Sequence, residues 1–271
     1  MSAQQPSAAL LTPLEAHSVC IMLPTYNEIE NLRSMVTRLR AAVPEATLLV
    51  LDDNSPDGTG ALADQLAARH SRFNVMHRAG KEGLGRAYIA GLGWAREHGF
   101  TAAVQIDADG SHQPEQLPAL LAAADRADVV IGSRWVPGGA VRNWPMHRKA
   151  LSLGGNLFVR AALGIPIRDA TAGFRVYRLV PLERVGLDQV ASQGYCFQVD
   201  LTLRAVDAGL RITEVPIEFI EREHGVSKMG TTIVREALVR VTMWGVQRRI
   251  RQGREWMLSH RGRSHIKEEL R

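Results

Sequence analysis

Two carboxylates one residue apart, Asp107 and Asp109, follow an apolar run at residues 103–106 in the stretch AVQIDADGSHQPE. In an extended segment, residues i and i+2 project to the same side. The spacing therefore predicts that both acids face one point just beyond the carboxyl end of a strand. Oxygen ligands of this kind suit a hard divalent cation, Mg2+ or Mn2+, held by one or two carboxylates together with substrate phosphate oxygens. The competing reading is an exposed Asp- and Gly-rich turn that holds nothing. The flanking sequence has to decide.

Asp52 and Asp53 close another apolar run, TLLVLD, in the same way. Open α/β sheets bind ligands beyond the carboxyl ends of their strands, where such acids can accept hydrogen bonds from ribose hydroxyls or a base N–H. Asn54, Ser55 and Pro56 equally suit an Asx-type turn. Lys81, among Gly80, Gly83 and Gly85, is either a diphosphate contact or plain surface. The first strand runs into PTYNE rather than G-x-G-x-x-G, and G-x-x-x-x-G-K-[ST] is absent. Dehydrogenase and P-loop ATPase readings therefore drop out.

These residues need a sheet to position them. Apolar β-rich runs at 19–23, 47–52, 73–77, 103–106 and 128–133 alternate with helical periodicity at 29–43, 60–70, 86–98 and 114–124. Leu32, Val36 and Leu39 share one face of the first helix. Such alternation predicts an α/β fold, a mostly parallel sheet with helices on both faces. Beyond residue 133 the pattern changes to a polar loop (135–147), a helix (148–163), a strand (173–178), a helix after Tyr195, one long strand (212–221), a basic loop and a helical tail from about Thr231.

The chain has 271 residues, 45% hydrophobic and 23% charged, enough for one large domain with appendages. The longest apolar run, around Leu117 to Ala124, is too short to span a bilayer. The first seventeen residues lack the basic start and apolar core of a secretory leader and read as a loose tail. Cys20 and Cys196 stand apart, as free thiols of a reducing compartment. From Lys228 to Arg271 there are eleven Lys or Arg against four Glu, a net of +7, which leaves −2 for the rest of a chain whose total is +5. In that tail Ile233, Val234, Ala237, Leu238, Val241, Trp244 and Gly245 repeat at helical spacing, with Arg235, Arg240, Arg248 and Arg249 interleaved. A basic amphipathic helix of this kind can lie in a membrane interface; the plainer reading is packing on the catalytic domain. The aromatic residues form no stacking platform for nucleic acid, which is not expected as a partner.

PTYNE, DDNSPDGT, GLG-A, DADGSH-P, GSR, D-T-GFR-Y, GY-FQ-D and R-HG-SK occur in the order found in family 2 glycosyltransferases. Across about residues 18–230 the chain resembles the polyprenol-phosphate mannose synthases of that family. The resemblance implies the GT-A type of nucleotide-diphospho-sugar transferase fold. It also implies transfer of mannose from GDP-mannose to a polyprenyl (dolichyl-type) phosphate, with inversion to a β-mannosyl phosphate. By the same resemblance Pro24, Tyr26, Glu28 and Asp53 hold the nucleotide, with Lys81 and the Asp107-Ala108-Asp109 segment also on the donor side. Asp107 and Asp109 form the metal-binding D-x-D, with Mg2+ or Mn2+ as cofactor. Where the family often carries a Gln ligand, this chain has Ser111, a shorter third candidate that still offers an oxygen.

Arginine's planar fork suits phosphate oxygens. Arg134, Arg148, Ser152, Arg222 and Lys228 stand where the family meets its acceptor phosphate. Asp109 and Arg134 are thus the candidate catalytic pair. Asp169, Thr171, Arg175, Gln198 and Asp200 stay without a chemical role; the family's usual residue at 200 is Glu. The expected organisation is a flexible tail (1–17), a catalytic domain (18–230) with a nucleotide-sugar half (18–133) and an acceptor half (134–230), and a basic helical tail (231–271). The expected setting is the cytoplasmic face of a membrane, bound peripherally, with room for a separate anchoring protein. Two alternatives remain: a UDP-glucose-dependent polyprenyl-phosphate glucosyltransferase, and a non-catalytic nucleotide-sugar-binding subunit.

Overall fold

The computed structural model describes residues 12–190, 195–221, 235 and 237–254. In chain order its elements are β1 (Val19–Thr25), α1 (Ile29–Ala42), β2 (Thr47–Asp52), α2 (Thr59–Ala67), β3 (Phe73–His77), α3 (Leu84–Glu97), β4 (Ala102–Gln105), α4 (Leu117–Ala123), β5 (Val129–Ser133), β6 (Ala140–Arg142), α5 (Met146–Leu163), β7 (Arg175–Arg178), α6 (Leu179–Leu182), α7 (Tyr195–Asp207), β8 (Ile212–Pro216) and β9 (Glu218–Ile220). Seven strands form one sheet in the order β3-β2-β1-β4-β7-β5-β8, and β6 pairs with β9 in a small second sheet.

Why the sheet is buried on both sides is visible in β1. Val19, Ile21 and Leu23 point into the core beneath α1, while Cys20 and Met22 point into the opposite core beneath α3. Alternate side chains thus feed two apolar layers, as a strand covered on both faces requires. Helix α1 answers with Leu32, Met35, Val36 and Leu39 on its buried face, each worth about 1.5–3 kcal/mol of burial. Both cysteines are buried thiols.

Two features depart from the sequence expectation. Strand β7 runs antiparallel between β4 and β5, so these two strands never touch in the sheet. The single long strand expected at 212–221 is two strands. Pro216, opposite Ser133, ends the pairing of β8 with β5, because proline has no N–H for the ladder. Ile217 then turns inward at 1% exposure, and β9 leaves for the second sheet.

Of the segment 1–17, residues 1–11 lie outside the described part. Residues 12–17 are not loose: Arg178 Nη2 donates to Thr12 O (2.6 Å) and Leu14 N donates to Asp125 Oδ1 (2.7 Å).

At the other end, residues 237–254 form a helix lying against α5. The stripe counted in the sequence turns in part toward the protein: Val241 is 2% exposed and Trp244 packs beside it, whereas Leu238 stays 42% exposed. Ile233 and Val234 lie outside the described residues. Arg249 Nη2 donates to Ala161 O (3.1 Å) and Arg248 Nη1 to Leu163 O, satisfying the last carbonyls of α5 as basic groups at a helix C-terminus do. A different stripe, Val239, Met243, Val246 and Ile250, faces outward at 50–55% exposure. It adjoins a helix, α5, that itself exposes Met146, Leu153 and Leu157.

Gly245 sets the approach of the two helices, since a Cβ there would lie 2.4 Å from Ala162 O. Gly245→Val is expected to cost this docking about 1–3 kcal/mol. Amide exchange across 237–254 should then quicken on the order of tenfold to a hundredfold while the sheet stays protected, as read by mass spectrometry.

Candidate active site

The carboxylate pair sits where the sequence put it but is held differently. β4 stops at Gln105, so Asp107 and Asp109 lie in the loop beyond the strand rather than on one pleat. Gly110 (φ +77°) turns this loop back through the left-handed region. Each acid is aimed by its own donor. Tyr88 Oη, from α3, donates to Asp107 Oδ1 (3.1 Å). Ser111 donates to Asp109 Oδ1 through both its backbone N–H (3.1 Å) and its hydroxyl (2.6 Å). Ser111 therefore acts here as an orienting donor to Asp109, and at 2% exposure it is almost wholly buried. Ala108 packs into the core beneath α1, at 3% exposure. Burial, reinforced by the neighbouring Asp107 carboxylate, pushes the Tyr88 hydroxyl well above its usual range, so it remains a donor.

Beside the acids lies His112, whose Nδ1 accepts the Asp107 N–H (3.3 Å). Burial lowers its pKa and keeps the ring neutral despite the nearby carboxylates. Gly173 leaves room at Asp107, because a Cβ there would stand 3.3 Å from Oδ2. Among the described residues no group of three or more His, Cys, Asp or Glu converges as a closed metal cage. A pair of carboxylates beside a glycine-made space fits a hard cation that completes its shell from a diphosphate. Asp107 and Asp109 are the residues that would hold it.

The donor-side loops are laced to one another. Asn27 N donates to Ser55 Oγ (3.2 Å), Glu28 N to Thr59 Oγ1 (3.0 Å) and Ile29 N to Asp57 Oδ2 (3.2 Å), so the loop after β2 caps α1. Asn27 and Asn54 take positive φ, 60° and 57°, a conformation asparagine tolerates. Asp52 is taken up by its own turn and by the neighbouring strand, accepting from Ser55 Oγ (2.6 Å) and from Thr25 Oγ1 at the end of β1 (3.1 Å). Pro24 lies in β1, Glu28 accepts from Asn31 (2.8 Å), and Lys81 Nζ stands 4.0 Å over the Tyr26 ring. Asp53 is ion-paired to Arg78; burial raises its pKa, with Arg78 opposing.

On the far side of β7 the acceptor candidates converge. Arg134, at the end of β5, donates to Asp169 through Nε (2.8 Å) and Nη2 (2.7 Å), and Nη2 also reaches Thr171 Oγ1 (2.9 Å). Asp169 is fully buried. Burial pushes its carboxyl up, but the Arg134 charge and hydrogen bonds more than offset this and hold it below the ordinary range. Asn156 Nδ2 ties Thr171 Oγ1 (3.0 Å) to the Ser152 carbonyl (3.1 Å) in α5. Arg148 lies 4.1 Å from the centre of the Trp144 ring and pairs with Glu221; Arg134 lies 5.6 Å from that ring. Arg222 and Lys228 fall outside the described residues. Arg175, without a role in the sequence reading, is a buried brace: its guanidinium bonds Ala170 O, Ala172 O and Thr202 Oγ1 at 2.7–2.8 Å. Asp200 pairs with Arg204 (2.7 Å) in the wall of a cleft of about 590 Å³ between α7 and the C-terminal helix, away from the carboxylate loop.

Sequence reasoning missed Tyr88, Arg78, Trp144 and Phe219, which act across long separations. His112, three residues beyond Asp109 in the same motif, was the one that local spacing could have flagged.

The family model for glycosyl transferase family 2 matches residues 20–186. A polyprenol monophosphomannose synthase of Mycolicibacterium smegmatis is 53% identical over 236 residues, 86% of this chain and 89% of that one. An undecaprenyl-phosphate mannosyltransferase of Micrococcus luteus is 55% identical over 231 residues, 85% of this chain and 95% of that one. Among solved structures, a glucosyl-3-phosphoglycerate synthase from Mycobacterium tuberculosis in complex with Mn2+ and UDP-glucose superposes with a TM-score of 0.60 at 20% identity, covering 85% of this chain and 78% of that one. The shared architecture is the GT-A type, a mostly parallel sheet flanked by helices.

Proposed function

Because the chain belongs to glycosyl transferase family 2, we propose that it moves mannose from GDP-mannose to a polyprenyl phosphate, giving the β-linked mannosyl phosphate lipid. The two curated relatives, both mannosyl transferases to prenyl phosphates by name, support the sugar and the acceptor class. The observation that carries the mechanism is the pairing of two polar clusters across one strand. The Asp107/Asp109 loop leaves β4, the Arg134 cluster leaves β5, and β7 lies between them. Two strand spacings separate them, about 10 Å, room for a sugar between a departing diphosphate and an arriving phosphate.

A phosphate monoester has a second pKa of about 6, so the acceptor arrives ionised and needs no general base. One phosphate oxygen forms the new bond to the anomeric carbon as the bond to the diphosphate oxygen breaks, with inversion from α to β and no proton transferred. A divalent cation bound there would supply positive charge to offset the negative charge gathering on the leaving GDP. Asp107 and Asp109 would hold it, and Tyr88 and Ser111 keep those carboxylates aimed. Arg134 and Arg148, with Ser152, Arg222 and Lys228, receive the acceptor phosphate, and Asp169 fixes the Arg134 fork in advance. Pro24, Tyr26, Glu28, Asp53 and Lys81 line the nucleotide side.

Asp53 serves as an ionised acceptor, and Arg78 supports that charge. Donor KM should rise as pH falls through the Asp53 pKa. Arg78→Met is expected to move that limb to higher pH and to raise donor KM on the order of tenfold, the loss of one charge-assisted hydrogen bond. Initial rates against pH at fixed acceptor read both effects, and an unmoved limb would count against the Asp53 role.

No described helix is long and apolar enough to cross a membrane. The outward stripe Val239, Met243, Val246 and Ile250, with Arg251 and Arg254 exposed near it, supports peripheral attachment to an anionic lipid surface, cytoplasmic in this reading and open to a separate anchoring protein. Radiolabelled GDP-mannose and UDP-glucose, each with polyprenyl phosphate and Mg2+, Mn2+ or a chelator, test the whole proposal. Mannolipid formed only with GDP-mannose and a divalent cation is expected. Glucolipid in its place, or no product from either donor, overturns it.

A further inference from the structure

One short strand touches both halves of the proposed site. β9 carries Phe219, whose ring meets the His112 ring edge-on at 5.2 Å and the Trp144 ring edge-on at 5.3 Å. Such edge-to-face contacts hold rings in a preferred relation. His112 accepts the Asp107 N–H, and Trp144 carries the Arg148 guanidinium at 4.1 Å. The chain of contact therefore runs Asp107–His112–Phe219–Trp144–Arg148. The Arg134 guanidinium also lies 5.5 Å from the Phe219 ring. The backbone repeats the arrangement: Ile220 N donates to Ser111 O (3.0 Å), Glu221 N donates to Arg142 O (3.2 Å), and the Glu221 carboxylate pairs with Arg148. His112 and Phe219 also form an isolated antiparallel bridge.

In the main sheet β4 and β5 are already joined through β7, so the contacts of β9 form a second, separate link between the two loops. The second sheet is too small to be an independent unit. It contacts the carboxylate loop on one side and the arginine cluster on the other.

Resting on the transferase reading above, we propose that Phe219 is a positioning residue that sets the acceptor-phosphate arginines against the donor carboxylate loop. Its ring is only partly buried, so its loss spares the two main cores. Neither substrate is touched by the ring in this scheme; it acts through Trp144 and His112.

The test is a kinetic split in the full-length protein with GDP-mannose, Mn2+ and polyprenyl phosphate. Phe219→Leu keeps an apolar side chain and removes the ring; Phe219→Met does the same with an unbranched, more adaptable side chain. In both, KM for polyprenyl phosphate is expected to rise about tenfold, while donor KM and the calorimetric Kd for GDP with Mn2+ stay within about twofold. Phe219→Tyr, which keeps the ring, is expected to restore the acceptor KM. In an Arg148→Met background, Phe219→Leu should add little further to the acceptor KM, since the two act along one chain of contact. Equal rises in both KM values, an unchanged acceptor KM, or full additivity with Arg148→Met overturns the proposal. Absence of mannosyl transfer in the unsubstituted protein would instead overturn the transferase reading, so the two failures are distinguishable.

Discussion

Asp109→Ala is expected to lower kcat/KM for mannosyl transfer by roughly a thousandfold, about 4 kcal/mol of transition-state stabilisation, with the circular dichroism spectrum unchanged. The alanine variant has one complication. Asp109 Oδ1 receives the Ser111 N–H and hydroxyl, and stranding a buried donor costs about 1–3 kcal/mol. Asp109→Asn separates the two effects, because its amide oxygen can still accept from Ser111 while the charge is gone. If the charge matters, both variants lose transfer and calorimetric Mn2+ binding in the presence of GDP, and only alanine loses stability. A variant with undiminished metal-dependent turnover would remove Asp109 from the site.

The second large effect is on the acceptor side. Asp169 is fully buried and takes two hydrogen bonds from the Arg134 side chain plus one from its backbone N–H (2.9 Å). Removing one member of a buried pair leaves the other charge uncompensated, at about 3–5 kcal/mol. For a domain of this size Asp169→Ala should lower Tm by roughly 6–20 °C. Asp169→Asn should cost less, since it keeps part of the hydrogen bonding. The sign with pH follows from the depressed carboxyl. The pair's stabilisation is present above the unfolded carboxylate pKa of about 3.9 and is lost as pH falls through the still lower folded value. The Tm gap between wild type and Asp169→Asn should thus be full at pH 6 and shrink below about pH 4. A gap that stays constant to pH 3 would mean that the pair contributes through shape alone.

Much of this was legible in the chain because it was local. The alternating runs gave the β-α units, since burial on both faces leaves near-continuous apolar strands such as 47–52. The acids at 107 and 109 announced themselves by standing just past a strand end. The contacts that aim them were hidden, because Tyr88 and Ser111 act through side-chain geometry that spacing does not encode. The orientation of β7 was hidden as well, since a four-residue strand, RVYR, reads the same in either direction. The C-terminal helix gave its period but not its facing. Two apolar stripes share it, and the burial of Val241 with Gly245 against the Ala162 carbonyl shows which one docks.

The insertion of β7 also bears on how the chain reaches its native state. β4 finds one neighbour, β1, among strands already made, but its other edge stays open until residues 175–178 arrive. β5 waits for the same strand and then for β8. An exposed apolar strand edge is a template for wrong pairing, and closing it through some seventy intervening residues is slow because the loop must be ordered first. A nascent chain released before residue 178 would therefore present one edge of β4 unpaired and be prone to self-association. Fragments ending at 133 should aggregate where those ending beyond 221 do not, and the donor half, separable on paper, would not be a separable folding unit.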